Sequence, residues 1–192
     1  MLGTLKSWRK IVSIGLEEKL HGVAVLRLLE EVSLEFPEAR FSLRTGVSRS
    51  SYVLKGRLLK EKRHLLLGAK QTVIEFSTGL FIKHSTKRAS PWSYNFIREH
   101  QDEVQALQAK YGQVFLIFVN GDDGIACVNY EQLKNVLDEH YEEQEWLRVS
   151  RKPKQNYRIS GNDGKLDKPL PRNSFPKVIT EFFEELLSRE GT

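Results

Sequence analysis

The sequence has 192 residues, of which 40% are hydrophobic and 29% are charged, and its formal net charge is +5. This composition is that of an ordinary globular protein and excludes a disordered or fibrous chain. The single cysteine, Cys127, excludes an intrachain disulfide. No apolar run approaches the ~18 residues that a membrane-spanning helix needs, and charges interrupt the apolar part of the N-terminus. We therefore expect a cytoplasmic protein with no signal peptide and no membrane partner.

The first half of the chain predicts one helix followed by short strands. Apolar residues recur every three or four positions from residue 16 to residue 36, and Pro37 ends the pattern, so we expect a helix there. The tripeptide Ser77-Thr78-Gly79 is interpreted as a tight turn between two strands. The segment 55–70 fits either a basic helix or a loop between strands. The strands are predicted at residues 41–43, 50–54, 72–76, 80–85 and 92–96.

The second half alternates helices with strands. Residues 114–119 are apolar at every position, which is typical of a central strand covered on both faces. The pentapeptide NGDDG at residues 120–124 indicates a turn that leads into a returning strand. The remaining elements are predicted at residues 98–111 (helix), 125–129 (strand), 130–140 (helix), 145–149 and 157–160 (edge strands) and 176–189 (helix).

This order of elements predicts an α/β (α+β) fold with a central mixed sheet. A meander of three strands, a helix and an all-apolar strand imply a sheet with helices on its faces. We expect a single domain over residues 1–192. Its core, of the form α-β-β-β-α-β, spans about residues 16–140, and a C-terminal strand and helix extension spans about residues 141–192.

Two local patterns resemble the PD-(D/E)XK nuclease superfamily. The run GLFIKHSTKRASPWSYNF is similar to the central hairpin of that restriction-endonuclease-like fold, with a lysine on the third strand. The run VFLIFVNGDDGIACVNYEQLKNVL looks like the strand, turn and helix that follow it. The resemblance covers roughly residues 16–140. The wider pattern, with HG in the first helix, RKPKQNY and GNDGKL, also resembles a branch of uncharacterised bacterial proteins, and this second resemblance assigns no activity.

The nuclease resemblance implies hydrolysis of DNA phosphodiesters with Mg²⁺ held by two carboxylates and a lysine close by. The lysine corresponds to Lys83, but Phe81 stands where the first acid is expected, so the motif is degenerate. Glu75 is the nearest replacement, and the register of the turn at residues 77–79 decides whether it shares a face with Lys83. Glu30 or Glu31 of the first helix would supply the second acid. The alternative is that these acids are ordinary solvated side chains.

Cations and an aromatic residue predict a nucleic-acid surface near the end of the third strand. Ammonium and guanidinium groups neutralise phosphates, hydroxyls donate to them, and an indole stacks on a base. The alternative is a charged loop with Trp92 packed in the core. A second basic cluster around Arg151 extends the surface or is a solvated loop. The predicted binding residues are Lys83, His84, Ser85, Lys87, Arg88, Trp92 and Arg151.

Other motifs point to no further chemistry. His21 is expected at the surface or as a capping residue, and a role as a ligand or acid/base group is the alternative. The remaining histidines show no metal-ligand spacing and the chain has one cysteine, so a zinc site is not expected. We therefore expect a nuclease-like domain that binds nucleic acid, DNA being favoured, with Lys83, Glu75 and Glu30 as the candidate catalytic set. Glu75 and Glu30 would hold Mg²⁺ if it cleaves, and no cofactor is expected otherwise. The alternative is a non-catalytic protein-interaction or accessory module on the same fold.

Overall fold

The computed structural model describes residues 15–64, 68–140 and 143–189, and within these ranges it contains four helices and eight strands. In chain order the elements are α1 (Leu16–Glu35), β1 (Arg40–Thr45), β2 (Ser51–His64), β3 (Gly68–Ser85), β4 (Trp92–Ile97), α2 (Arg98–Tyr111), β5 (Val114–Asn120), β6 (Ile125–Asn129), α3 (Tyr130–Lys134), β7 (Gln144–Ser150), β8 (Arg158–Gly161) and α4 (Ser174–Arg189).

The central sheet has five strands in the order β1-β2-β3-β5-β6. Its neighbours pair antiparallel except for β3 and β5, which run parallel because β4 and α2 connect them. All seven residues of β5 are buried, which explains its continuous apolar sequence. The α+β class and the mixed sheet predicted from the sequence are confirmed.

The predicted division of the first strands is wrong in two respects, the segment 55–70, of which residues 65–67 lie outside the described residues, and the turn at residues 77–79. Residues 55–64 continue β2, and β3 runs without a break through the tripeptide that was interpreted as a turn. Thr78 and Gly79 are buried in the middle of β3, where their Oγ1 and N–H both donate to the carbonyl of Gln113. A Cβ on Gly79 would lie 3.0 Å from Leu107, so this glycine permits close packing of α2 and does not mark a turn.

Two hydrophobic cores lie on the two faces of the central sheet. One face is covered by α1 and α4, and the opposite face by α2, α3 and a second sheet of three strands in the order β4-β7-β8. Alternation along β3 sends Leu80 and Ile82 to the first core and Phe81 to the second. Odd-numbered residues of β3 therefore share a face with Phe81, and even-numbered residues face α1.

The strands of the predicted C-terminal extension complete the second sheet. β7 pairs with β4 and with β8, and the six residues of β4 alternate between buried and exposed, as the sequence predicts for a half-buried strand. Tyr94 of β4 donates from its hydroxyl to Asn120 Oδ1 at 2.7 Å, which joins the second sheet to the end of β5. Within the described ranges, no helix is both long and apolar enough to cross a membrane.

Candidate functional site

The carboxylates expected to accompany Lys83 do not converge on it. Glu75 and Lys83 lie on the same face of β3 but eight residues apart, which is roughly 26 Å along a strand. Glu30 is an exposed residue of α1, on the other side of the sheet. Glu30 and Glu75 therefore cannot share one Mg²⁺ ion, and the expected catalytic set of these two acids with Lys83 is not assembled.

Lys83 is instead enclosed between β3, β4 and α2. Its Nζ donates to the carbonyl of Asn95 at 2.7 Å and lies 2.9 Å from Nδ1 of His100. The ammonium group also lies 5.1 Å from the ring centroid of Phe96, a cation–π contact. Burial lowers the pKa of Lys83 to about 8, and the same burial together with the nearby ammonium group lowers the pKa of His100. This partly buried lysine joins the second sheet to the central one, and its ammonium group is engaged in contacts within the protein.

The other residues predicted for the nucleic-acid surface mostly make contacts within the protein. Trp92 is 1% exposed and donates its indole N–H to the carbonyl of Lys87, so its ring cannot stack on a base. Lys87 donates from Nζ to the carbonyl of Pro91, and Ser85 accepts from the backbone N–H of Lys87. Arg88 is exposed, with the Asp122 carboxylate 3.9 Å from its Nε. This segment therefore presents fewer accessible groups than its sequence predicts.

Arg151, the last of the predicted binding residues, is held in an ion pair. Its guanidinium group makes two hydrogen bonds to Asp123, one of them from Nε to Oδ2 at 2.6 Å, and the hydroxyl of Tyr157 donates to the same carboxylate at 3.0 Å. The side chains of Arg151 and Asp123 are only 11% and 18% exposed. A planar bidentate pair of this kind fixes the NGDDG turn against the loop after β7.

A different group of cations lies exposed on the part of the sheet that α2 leaves uncovered. Four of them project from one face of β1 and β2, and we call Arg40, Arg44, Lys55 and Arg57 the open basic face. Residues of β1, β2 and β3 that lie side by side form rows across this face. In the order β1, β2, β3, the rows are Arg40–Arg57–Glu75, Ser42–Lys55–Ser77 and Arg44–Val53–Gly79. Residues two apart on one strand are ~7 Å apart on the same face, so the four charges form a compact patch.

Two open clefts lie along this patch. The first, of about 530 Å³, is lined by Arg40, Lys55 and Arg57. The second, of about 480 Å³, adjoins it at Lys55 and reaches Lys110 on α2. The carboxylates lining the two clefts, among the residues described, are Glu75 and Glu103. Glu75 pairs with Arg57 at 2.8 Å, but both side chains are about two-thirds exposed (68% and 66%), so this ion pair is weak and leaves the patch positive.

A second group of polar side chains lies on the opposite face of the sheet, between α1 and β3. Glu17 and His21 are one turn apart on α1, and His84 is near the end of β3. One carboxylate oxygen and one ring nitrogen from each histidine lie within 4.8 Å of one another. We call Glu17, His21 and His84 the histidine–glutamate cluster. A cleft of about 360 Å³, lined by Glu17, His21, Arg49 and Tyr52 among others, opens beside it.

The expectation that His21 is a surface residue is wrong, because its side chain is 2% exposed. Its Nδ1 lies 3.1 Å from the hydroxyl of Tyr52, and its Nε2 has no hydrogen-bond partner among the described residues. Burial lowers the pKa of His21, while the negative charge of Glu17 acts in the opposite direction, so the ring is neutral near neutral pH. The four-residue spacing of Glu17 and His21 is visible in the sequence, but only the fold brings His84 beside them.

Comparison with known proteins adds no assignment: no family model, no curated protein and no solved structure matches the chain.

Proposed function

We propose that the protein binds nucleic acid through the open basic face, with DNA as the favoured form. The proposal rests on one observation, the row-by-row placement of Arg40, Arg44, Lys55 and Arg57 on an uncovered sheet surface. Exposed cations held on strands neutralise phosphates, and the counterions bound to the nucleic acid are then released. This release supplies most of the affinity when a protein binds without contacting the bases.

The proposal concerns binding and not cleavage at Lys83. Metal-dependent cleavage of the kind that the nuclease resemblance implies needs carboxylates near the lysine. Glu75 and Glu30 are remote from Lys83, and the ammonium group is engaged by Asn95 and His100. The binding of nucleic acid by the open basic face therefore requires neither Mg²⁺ nor the ammonium group of Lys83.

The proposal is tested by measuring the salt dependence of DNA binding. A fluorescent single-stranded oligonucleotide is titrated with the protein at several salt concentrations, and binding is followed by fluorescence anisotropy. For the double variant Arg40→Ala/Lys55→Ala we expect the slope of log K against log[salt] to decrease in magnitude by about 1.4, because each phosphate contact to a single strand contributes about 0.7. Affinity at low salt should fall at least about tenfold, and chelation of Mg²⁺ should leave it unchanged.

The matched control is Lys168→Ala/Arg172→Ala, which removes two exposed cations from the segment before α4 and keeps the same net charge as the test variant. The control should bind within about twofold of the wild type. Equal losses in both double variants would show that only total charge matters. If the wild type does not bind even at low salt, the protein-interaction module becomes the better account.

A further inference from the structure

We propose that Glu17, His21 and His84 form a binding site for a first-row divalent transition metal ion, with Zn²⁺ as the reference ion. The inference is independent of the proposed function, since the histidine–glutamate cluster and the open basic face lie on opposite faces of the sheet. It also differs from the Mg²⁺ site that the nuclease resemblance implies, because it uses none of the same residues.

The first support is geometric. Two ligands that share one tetrahedral zinc ion at ~2.1 Å lie roughly 3.4 Å apart. The three candidate ligand atoms lie within 4.8 Å of one another, so a small side-chain movement brings them to this spacing. Glu17 can supply that movement, since it lies on the first turn of α1 and is only partly buried. The two histidines are held on a helix and on a central strand, which fix their positions.

The second support is the buried nitrogen of His21. Its ring is almost fully buried, and the structure shows no hydrogen bond to Nε2 from the residues that it describes. A buried polar atom without a partner costs ~1–3 kcal/mol. When Nδ1–H donates to the hydroxyl oxygen of Tyr52, the lone pair of Nε2 is left available for a metal ion. Metal-ligating histidines ordinarily donate their other ring N–H to an oxygen in this way.

The ligand types indicate which ions the site would take. Two imidazole nitrogens and one carboxylate oxygen suit Zn²⁺ or Fe²⁺, whereas Mg²⁺ prefers oxygen ligands alone. Three protein ligands leave a fourth position open on a tetrahedral ion. The cleft beside Glu17 and His21 would give that position access to water or to a small anion, with Arg49 on its wall.

Isothermal titration of the full chain with Zn²⁺, in the presence of excess Mg²⁺, tests the proposal. We expect one Zn²⁺ ion per chain, and at least a hundredfold weaker binding in His84→Ala and in Glu17→Gln. His140→Ala is the control, because the side chain of His140 is 94% exposed and lies outside the cluster. His140→Ala and the basic-face variant Arg40→Ala/Lys55→Ala should both bind Zn²⁺ like the wild type.

Substitution with Co²⁺ supplies a spectroscopic readout that does not depend on activity. A four-coordinate ion should give intense visible absorption bands, and Glu17→Gln should weaken or shift them. Far-ultraviolet circular dichroism of each variant identifies a loss of fold, and a variant that misfolds is replaced by the gentler His84→Gln. Unchanged affinity in folded His84 and Glu17 variants, or no Zn²⁺ binding by the wild type below millimolar concentration, would overturn the proposal.

Discussion

Lys83 shows that a lysine at the end of a strand can either bind a phosphate or make contacts within the protein, and that the sequence does not distinguish the two. A lysine near the end of a strand, followed by further cations, predicts a phosphate-binding group. The structure places its ammonium group against a backbone carbonyl and a neutral imidazole, close to the ring of Phe96. Desolvation of the ammonium group has the largest effect on the pKa of Lys83, which falls to about 8. The position of Lys83 in β3 was predictable, but its surroundings come from β4 and α2, which are remote in sequence.

The pKa of Lys83 predicts a particular pH dependence of stability. The folded-state pKa is about 8 and the ordinary value is 10.5, so between these values the unfolded chain binds more protons than the folded one. The free energy of unfolding should therefore rise with pH from about 8 to about 10.5, by roughly 2–3 kcal/mol. In Lys83→Met this rise should disappear. Urea denaturation at pH 7.5 and pH 10 measures the difference.

The control for this measurement is Lys87→Met, which removes an exposed cation from the loop that follows β3. It should keep the wild-type rise between the two pH values. An equal rise in wild type and Lys83→Met would mean that other groups produce it and that the ammonium group of Lys83 is fully hydrated.

His21 illustrates a different limit of prediction at the same scale. The buried face of α1 consists of His21, Ala24, Leu28 and Val32. Three other residues of the apolar pattern are largely exposed, namely Leu16, Val23 and Leu26. Apolar residues lie on several sides of this helix, so periodicity predicts a helix correctly but does not determine which side packs. A histidine on the packed side consequently cannot be recognised without the sheet beneath it.

Among the elements, the long antiparallel pair of β2 and β3 departs most from the sequence-based prediction. Its strands contain 14 and 18 residues, longer than most strands in globular proteins. The sequence of Thr78 and Gly79 in the middle of β3 is typical of a turn, because glycine is common in turns. Here Gly79 allows the backbone of β3 to approach Leu107 and Val114, a requirement of tertiary packing that local sequence rules cannot include. Helices α1, α2 and α4 begin and end within two residues of their predicted limits, but the predicted helix over residues 130–140 is wrong in length, because α3 ends at Lys134.

The turn between β1 and β2 is joined to α2 by one carboxylate. Glu103 accepts hydrogen bonds from the backbone N–H of Ser48, at 2.8 Å, and from the hydroxyl of Ser51, which is fully buried. Burial alone would raise the pKa of Glu103, but these hydrogen bonds outweigh it and lower the pKa below its ordinary value of 4.5. The carboxylate therefore stabilises the fold in its ionised form.

We expect Glu103→Ala to lower the free energy of unfolding by about 1–3 kcal/mol at pH 7, since two donors of the turn lose their acceptor. The loss should shrink as the pH falls below about 4.5, because protonation of Glu103 then weakens the same bonds in the wild type. Asp102→Ala, at the exposed neighbouring position of α2, is the control and should change stability by less than about 0.5 kcal/mol. Equal effects of the two substitutions would contradict the anchoring role.

On the scale of the whole molecule, the fold determines which cations stay exposed at the surface and which make contacts within the protein. Lysine and arginine far outnumber acidic residues between residues 40 and 88, but the fold divides these cations into two groups. Those on β1 and on the adjacent part of β2 are exposed, whereas Lys83 is partly buried, and the ammonium groups of Lys83 and Lys87 donate to backbone carbonyls. The sequence could locate the basic region but not the accessible part, because α2 and the second sheet determine which rows are covered.

The central claim is that nucleic acid contacts the open basic face, and mapping of the contact by nuclear magnetic resonance tests it most directly. A short DNA oligonucleotide is added at low salt to protein labelled with nitrogen-15, and the shifts of the backbone amide signals are followed. We predict that the largest changes will occur on β1 and on the adjacent rows of β2 and β3, including Ser42, Lys55 and Ser77. Changes confined to residues 84–92 and 151–158, with β1 unaffected, would contradict the account.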